Sequence, residues 1–287
     1  MSKQDVDVET GVETTGHDWD GIKELNNPLP RWWLWCFLLT IVWGVGYSIA
    51  YPAWPLISGA TTGLLGFSTR GEVSAEIARV DQMNAALNTA LAEVELASLT
   101  DQPDLYRYAV AGGAAVFRSH CSQCHGSGAA GAKGYPNLLD DDWLWGGDIA
   151  EIATTITHGI RNDVDDDAHW SEMPAFGDIL EKVEIAQVVQ HVLALSGQDH
   201  DAPAAEAGAV TFEDQCSGCH GPDGAGDRDL GAPNLTDRIW LYGGDPETLT
   251  ETITASRFGV MPPWGARLDQ ADINAVAAYV HQLGGGE

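Results

Sequence analysis

Apolar and polar positions divide the chain into distinct stretches. Residues 1–30 are polar and acidic with no apolar period, and read as a short disordered tail ending at "NNPLPRWW". From Trp32 to Thr69 there is no Asp, Glu, Lys or Arg. The core of that run, "WWLWCFLLTIVWGVGYSIAY" from Trp32 to Tyr51, would span about 30 Å as a helix, the thickness of a bilayer's hydrocarbon core. Trp32 and Trp33 at one end and Tyr51 and Trp54 at the other fit interfacial aromatic belts, and Pro52 and Pro55 mark the helix end. A cleaved leader would need a short basic segment before the run, whereas this one is long and acidic, so a retained anchor is expected. Cys36 is a small apolar residue within it.

After the anchor, "ISGATTGLLGFSTRG" reads as a connecting loop. Val73, Ile77, Val80, Leu87, Leu91 and Val94 then recur at spacings of three, four and seven, one stripe of an amphipathic helix. Met83 beside the stripe is read as packing.

The remainder repeats itself. "PNLLDDDWLWGGD" (136–148) matches "PNLTDRIWLYGGD" (233–245), "MPAFG" (173–177) matches "MPPWG" (261–265), and "IAQVVQHVLALSG" (185–197) matches "INAVAAYVHQLGG" (273–285). Each unit opens with a short helix and closes on an amphipathic one, and "GQDHDAPAAEAG" reads as the polar joint between them. The expected organisation is a tail at 1–30, an anchor at 31–54, a linker with a helix at 55–105, and two copies of one domain at 106–199 and 203–287.

Each copy carries Cys-x-x-Cys-His: Cys121, Cys124 and His125, then Cys216, Cys219 and His220. A zinc site made from the two pairs would leave the following histidine unexplained twice. A thioredoxin-like pair would need a βαβ context, and strands are not evident. Covalent haem c uses all three residues: two thiols form thioethers and the adjacent imidazole lies under the iron. Two covalently bound haems c are therefore expected. Met173 and Met261, heading the matched "MP" segments, are the candidate soft sixth ligands, suited to electron transfer; which serves which haem is open, since interlocked domains would exchange them. Pro136 and Pro233 would offer carbonyls to the second nitrogens of the ligating histidines, and Leu138, Leu235, Trp143 and Trp240 would line the crevices.

Other histidines rank lower. His158 is the rival axial ligand, but it aligns with Ala255; His120 aligns with Gln215; His191 aligns with Tyr279 and reads as packing or surface; His169, His200 and His281 read as solvated. The extra acidic stretch 162–172 reads as a solvated loop, with hard-cation binding as its alternative.

"DGIKELNNPLPRWWLW" running into "YPAWP", together with the tandem motifs, resembles the dihaem membrane-anchored subunit III, or P subunit, of cbb3-type cytochrome c oxidases. That resemblance covers about residues 20–287. It implies an all-α chain with one N-terminal transmembrane helix followed by two tandem cytochrome c-like domains. It implies a bacterial inner membrane with the N-terminus cytoplasmic and the haem domains periplasmic. Its implied partners are a mono-haem cytochrome c subunit and a catalytic subunit carrying haem b and copper, with membrane lipid around the anchor. The implied role is passing electrons from a donor cytochrome c towards those subunits, with oxygen reduction in another chain, so that this chain is not an enzyme by itself. A dihaem peroxidase and a free membrane-anchored shuttle are the rival classes; two matched Met ligands disfavour the first and the anchor signature the second.

Charge adds to this picture. The formal net charge is −28, which argues against nucleic acid and anionic lipid surfaces as partners. From Asp101 onward there are 30 acidic and 9 Lys or Arg residues, a field that would steer a basic donor.

Overall fold

The computed structural model describes residues 5–287. They form two compact units dividing between residues 83 and 84, inside the expected 55–105 linker.

The N-terminal unit corrects the expectation of a disordered tail. Strands β1 (Thr14–Trp19) and β2 (Ile22–Leu25) form an antiparallel hairpin. Its turn is Asp20–Gly21, with φ of 51° and 89°, the paired left-handed conformation that matches strand twist in a two-residue hairpin. Helix α1 (Arg31–Ala50) follows. Among the described residues it is the one helix long and apolar enough to cross a membrane. A returning loop caps its end: Leu64 N donates to Ile49 O at 2.9 Å and Leu65 N to Ala50 O at 3.0 Å, satisfying carbonyls that a helix terminus leaves open. Gly63 makes this approach possible, since a Cβ there would lie 2.4 Å from Ala50 O. A minimal hairpin, β3 (Pro55–Leu56) with β4 (Gly59–Ala60), sits within that loop.

Helix α2 (Thr69–Glu93) carries the expected stripe. Only its C-terminal part is covered: Leu91 is buried, whereas Val73, Ile77 and Met83 are exposed. In the second unit a 3-10 turn (Leu96–Asp101) leads to α3 (Pro103–Val116), a π turn (Phe117–Cys121) and α4 (Ser122–His125). Then come α5 (Ile149–His158), α6 (Lys182–Leu195), α7 (Ala202–Gln215), α8 (Ser217–His220), α9 (Pro246–Ala255) and α10 (Gln270–His281). The repeated "GGD" supplies matched N-caps: Asp148 accepts from Ala150 N and Glu151 N, and Asp245 accepts from Thr248 N at 2.9 Å.

Repeat and packing do not coincide. Helix α10, which closes the second sequence copy, packs on α3 and α5 of the first; α6, which closes the first copy, packs on α7 and α9 of the second. Both crossings use a glycine. A Cβ at Gly113 would lie 2.0 Å from Ala275 O, and one at Gly208 would lie 2.0 Å from Gln187 O. One turn further, Phe117 meets Tyr279 at 5.4 Å and Phe212 meets His191 at 5.0 Å, each at 53°. The matched pairs of the sequence repeat thus make matched contacts across the exchange.

The result is one lobe inserted in another. The inserted lobe is continuous, from Met173 to Ala255, and the polar segment 196–201 is its internal α6–α7 turn, not a joint between domains. The split lobe joins residues 103–158 to 261–281, so the expected 106–199 and 203–287 blocks are not packing units. Its core also takes in Leu91 and Leu99, and Asn274, 2 % exposed, donates to Leu91 O at 2.8 Å. The inserted lobe has a smaller core around Val188, Val192 and Phe212.

Candidate functional site

Each Cys-x-x-Cys-His motif is a single helical turn directly following a longer helix, which brings both thiols and the imidazole to one side. The loop after each histidine is pinned in the same way. Gly131 N donates to His125 O at 2.9 Å and Gly226 N to His220 O at 2.8 Å. Both glycines have left-handed φ, 67° and 84°, and a Cβ would strike the chain at Pro136 or Ala232. That fold-back delivers the expected carbonyls: His125 Nδ1 lies 3.2 Å from Pro136 O and His220 Nδ1 3.1 Å from Pro233 O. Burial lowers both imidazole pKa values, against the opposing pull of these carbonyls. Each ring is held neutral, with Nδ1–H donated and Nε2 available as a ligand.

All five cysteines are free. Burial pushes the Cys121 thiol up to about 11, with Cys124 beside it adding to the effect, and Cys216 rises likewise next to Cys219. Neither thiol is poised as a free nucleophile at neutral pH. Nor do the two cysteine pairs converge: among the described residues the one His/Cys/Asp/Glu group with metal-like spacing is His158, Asp165 and Asp167.

The methionines lie on the exchanged segments. Met173 lines a cavity of about 600 Å³ together with Cys216, Cys219, His220, Leu235 and Trp240. Ser256 Oγ donates to the Met173 carbonyl, and Gly177 packs against Thr254 on α9. Met261 goes to the other lobe. It exchanges backbone hydrogen bonds with Ile160 at 2.9 Å each way, and Trp264 N and Gly265 N donate to Ile156 O and Thr157 O at 3.0 Å. Its side chain packs on the split-lobe core that includes Cys121, Leu138 and Trp143.

The residues fit a large prosthetic group. The inserted-lobe cavity is apolar at its base, with Phe212, Val188 and Leu249, and has the size of a cofactor site. In the split lobe Trp145 Nε1 is buried with no hydrogen-bond partner. Leaving such a donor unmet costs about 1–3 kcal/mol. Trp145 aligns with Tyr242, which lines the inserted-lobe cavity. An acceptor-bearing group in the split lobe would meet it.

The remaining histidines are engaged elsewhere. His158 Nδ1 lies 3.1 Å from both Asp165 oxygens, which occupies it within the acidic insert. His169 corrects the solvated reading: it stacks on Trp145 at 4.5 Å, with Nε2 3.1 Å from Thr155 Oγ1. His281 is half-buried, its Nε2 2.9 Å from Glu287 O. Sequence reading missed Arg161, which the exchange brings to the inserted-lobe cavity; no repeat position marks it.

Residues 11–58 match the model of the N-terminal domain of cytochrome oxidase-cbb3, FixP. Residues 109–192 and 203–280 match that of cytochrome c oxidase, cbb3-type, subunit III. The chain is 62% identical to the cbb3-type cytochrome c oxidase subunit CcoP of Cereibacter sphaeroides, over 96% of this chain and 95% of the relative. It is 53% identical to the subunit FixP of Azorhizobium caulinodans, over 98% and 96%, and 46% identical to FixP of Rhizobium etli, over the full length of both. With its anchor, its two pinned Cys-His motifs and these relatives, the chain belongs to the subunit III family of cbb3-type cytochrome c oxidases.

Proposed function

We infer that this chain carries electrons within a cbb3-type oxidase through two covalently bound haems c. Cys121, Cys124 and His125 would hold one haem with Met261; Cys216, Cys219 and His220 would hold the other with Met173. When bound, haem supplies a one-electron iron couple, whose potential a thioether ligand raises. The observation that carries this reading is the shared cavity of Met173 with Cys216, Cys219 and His220. Pro136, whose carbonyl faces His125, also lines that cavity, so the two sites share a wall. That adjacency supports electron passage inside one chain.

In this reading the chain accepts electrons from a donor cytochrome c and delivers them to the mono-haem and catalytic haem b/copper subunits of the oxidase. Helix α1 would anchor it in the bacterial inner membrane with residues 55–287 periplasmic, and no oxygen is reduced on this chain. With Met261 and Met173 as ligands, neither haem would offer an open iron for ligand activation.

The test is haem count and ligand exchange in the full chain. Mass measurement should give two haems, and cyanide-sensitive oxygen uptake by the purified, copper-free chain would overturn the assignment. Met173→Leu should remove part of the near-infrared Met-to-iron band. It should remove nothing further in a variant whose second motif, Cys216 and Cys219, has been replaced by serines. Loss of the band from the first motif's haem instead would reverse the pairing.

A further inference from the structure

The two connections between the lobes pass side by side, at residues 159–172 and 256–260, and the Arg161 side chain of the first reaches the second. Arg161 has a left-handed φ of 50°. Its Nε donates to Ser171 O at 2.5 Å, its Nη1 to Gly259 O at 3.3 Å, and its guanidinium lies 5.7 Å from the Phe258 ring centroid. Among the described residues Nη2 has no hydrogen-bond partner and no carboxylate lies within 4 Å of the group. Arg161 therefore presents a half-buried positive charge, with no carboxylate in ion-pair contact, to the cavity that holds His220 and Met173.

This is unusual for so acidic a chain. Of the 9 basic residues from Asp101 onward, three line that one cavity: Lys133, Arg161 and Arg257. Arg257 is already engaged, with Glu251 at 2.6 Å and with Thr248 O at 2.8 Å. Lys133 is exposed on a loop. Glu172, Asp140 and Asp142 also line the cavity; Glu172 acts on Arg161 at longer range, and none of the three is in ion-pair contact with it. A partly desolvated guanidinium with no contacting carboxylate, facing a space sized for a prosthetic group, calls for an anionic planar acceptor. Haem carries two propionate carboxylates.

We propose that Arg161, supplied by the split lobe, binds a propionate of the haem in the inserted lobe and raises that haem's reduction potential. This rests on the two-haem reading above. The positive charge favours the reduced iron and keeps the propionate ionised, so the potential should be nearly independent of pH around neutrality. Arg161 is a positioning residue, since it touches a peripheral carboxylate and not the iron.

The experiment is a potentiometric titration of the detergent-solubilised full-length holoprotein at several pH values, comparing wild type, Arg161→Gln and Arg161→Lys. Glutamine keeps a donor for the Ser171 carbonyl but removes the charge; lysine keeps the charge. Arg161→Gln should shift one haem's reduction equilibrium about tenfold towards the oxidised form, about 59 mV for a one-electron couple. The affected wave should be the one that Met173→Leu moves, and it should become pH-dependent. Arg161→Lys should restore most of the shift. Loss of the second haem in Arg161→Gln but not in Arg161→Lys also supports the proposal. Unchanged potentials in Arg161→Gln, or equal defects in both variants, would make Arg161 only a staple between the connections and overturn it. A wild-type chain with fewer than two haems would instead sink the underlying reading.

Discussion

The split and inserted lobes are built from the same sequence repeat, with the same glycine-mediated helix crossing, yet differ in how the chain closes them. The inserted lobe gathers Met173, α6, α7, the Cys216–His220 turn and α9 from one continuous run. The split lobe must bring α10 back to α3 across the whole inserted lobe, Gly113 to Ala275. Closing a longer loop costs entropy that grows only slowly with length, but it slows the formation of the contacts that depend on it. The split lobe is also the one with the larger core, reinforced by Leu91, Leu99 and Asn274. The difference shows that two equal sequence copies need not be two independent domains, and that the lobe with the costlier closure is the more heavily buttressed.

The sharpest way to break this comparison is to cut the chain by packing and by repeat. A secreted fragment of residues 171–257 should fold and show a Met-to-iron band, because it contains one full ligand set. A fragment of 106–199 should not, since it pairs the first motif with the wrong methionine. Near-infrared spectra of the two fragments decide; a normal band from 106–199 would defeat the exchanged topology.

Smaller effects should separate the lobes in the intact protein. Gly208→Ala forces a Cβ into the Gln187 carbonyl and should cost the inserted lobe about 2–3 kcal/mol, as overpacking does. Calorimetry of the full holoprotein should show the lower-temperature part of its unfolding moving down. Asn274→Ala removes a buried donor from Leu91 O and should destabilise the split lobe alone by about 1–2 kcal/mol. Its thermal scan should leave the inserted-lobe transition in place.

The least effect concerns Asp142, where the lobes face each other. Burial, followed by Asp237 and Asp140, raises its pKa from 3.8 to about 6. The folded state therefore binds the proton more tightly than the unfolded chain. The stability this contributes is full below about pH 4 and is lost as pH rises through about 6. Asp142→Asn should stabilise the protein above pH 6 by about 1 kcal/mol, after discounting for solvent screening at a half-exposed group, and should do nothing near pH 4. Melting temperatures across pH 4–8 for both proteins test the sign.

Much of this protein was legible in one dimension. The anchor followed from an uncharged apolar run, and the haem motifs, the proline carbonyls and the candidate methionines followed from residue type and repeat register. The Asp20–Gly21 hairpin was missed, because lack of apolar periodicity argued for disorder and outweighed the turn dipeptide. The legible features depend on neighbours within a few residues, or on chemistry that permits few side chains.

Which methionine faces which motif was decided only by tertiary structure. So were the nesting of one lobe in the other, the stacking of His169 on Trp145, and the placement of Arg161 in a cavity belonging to the other lobe. The physical reason lies in the repeat itself. Because α6 and α10 present equivalent faces to α7 and α3, local pattern is satisfied equally by the exchanged and unexchanged pairings. The short α6–α7 turn at 196–201 and the two crossing connections choose between them, and that choice rests on contacts between residues far apart in the chain.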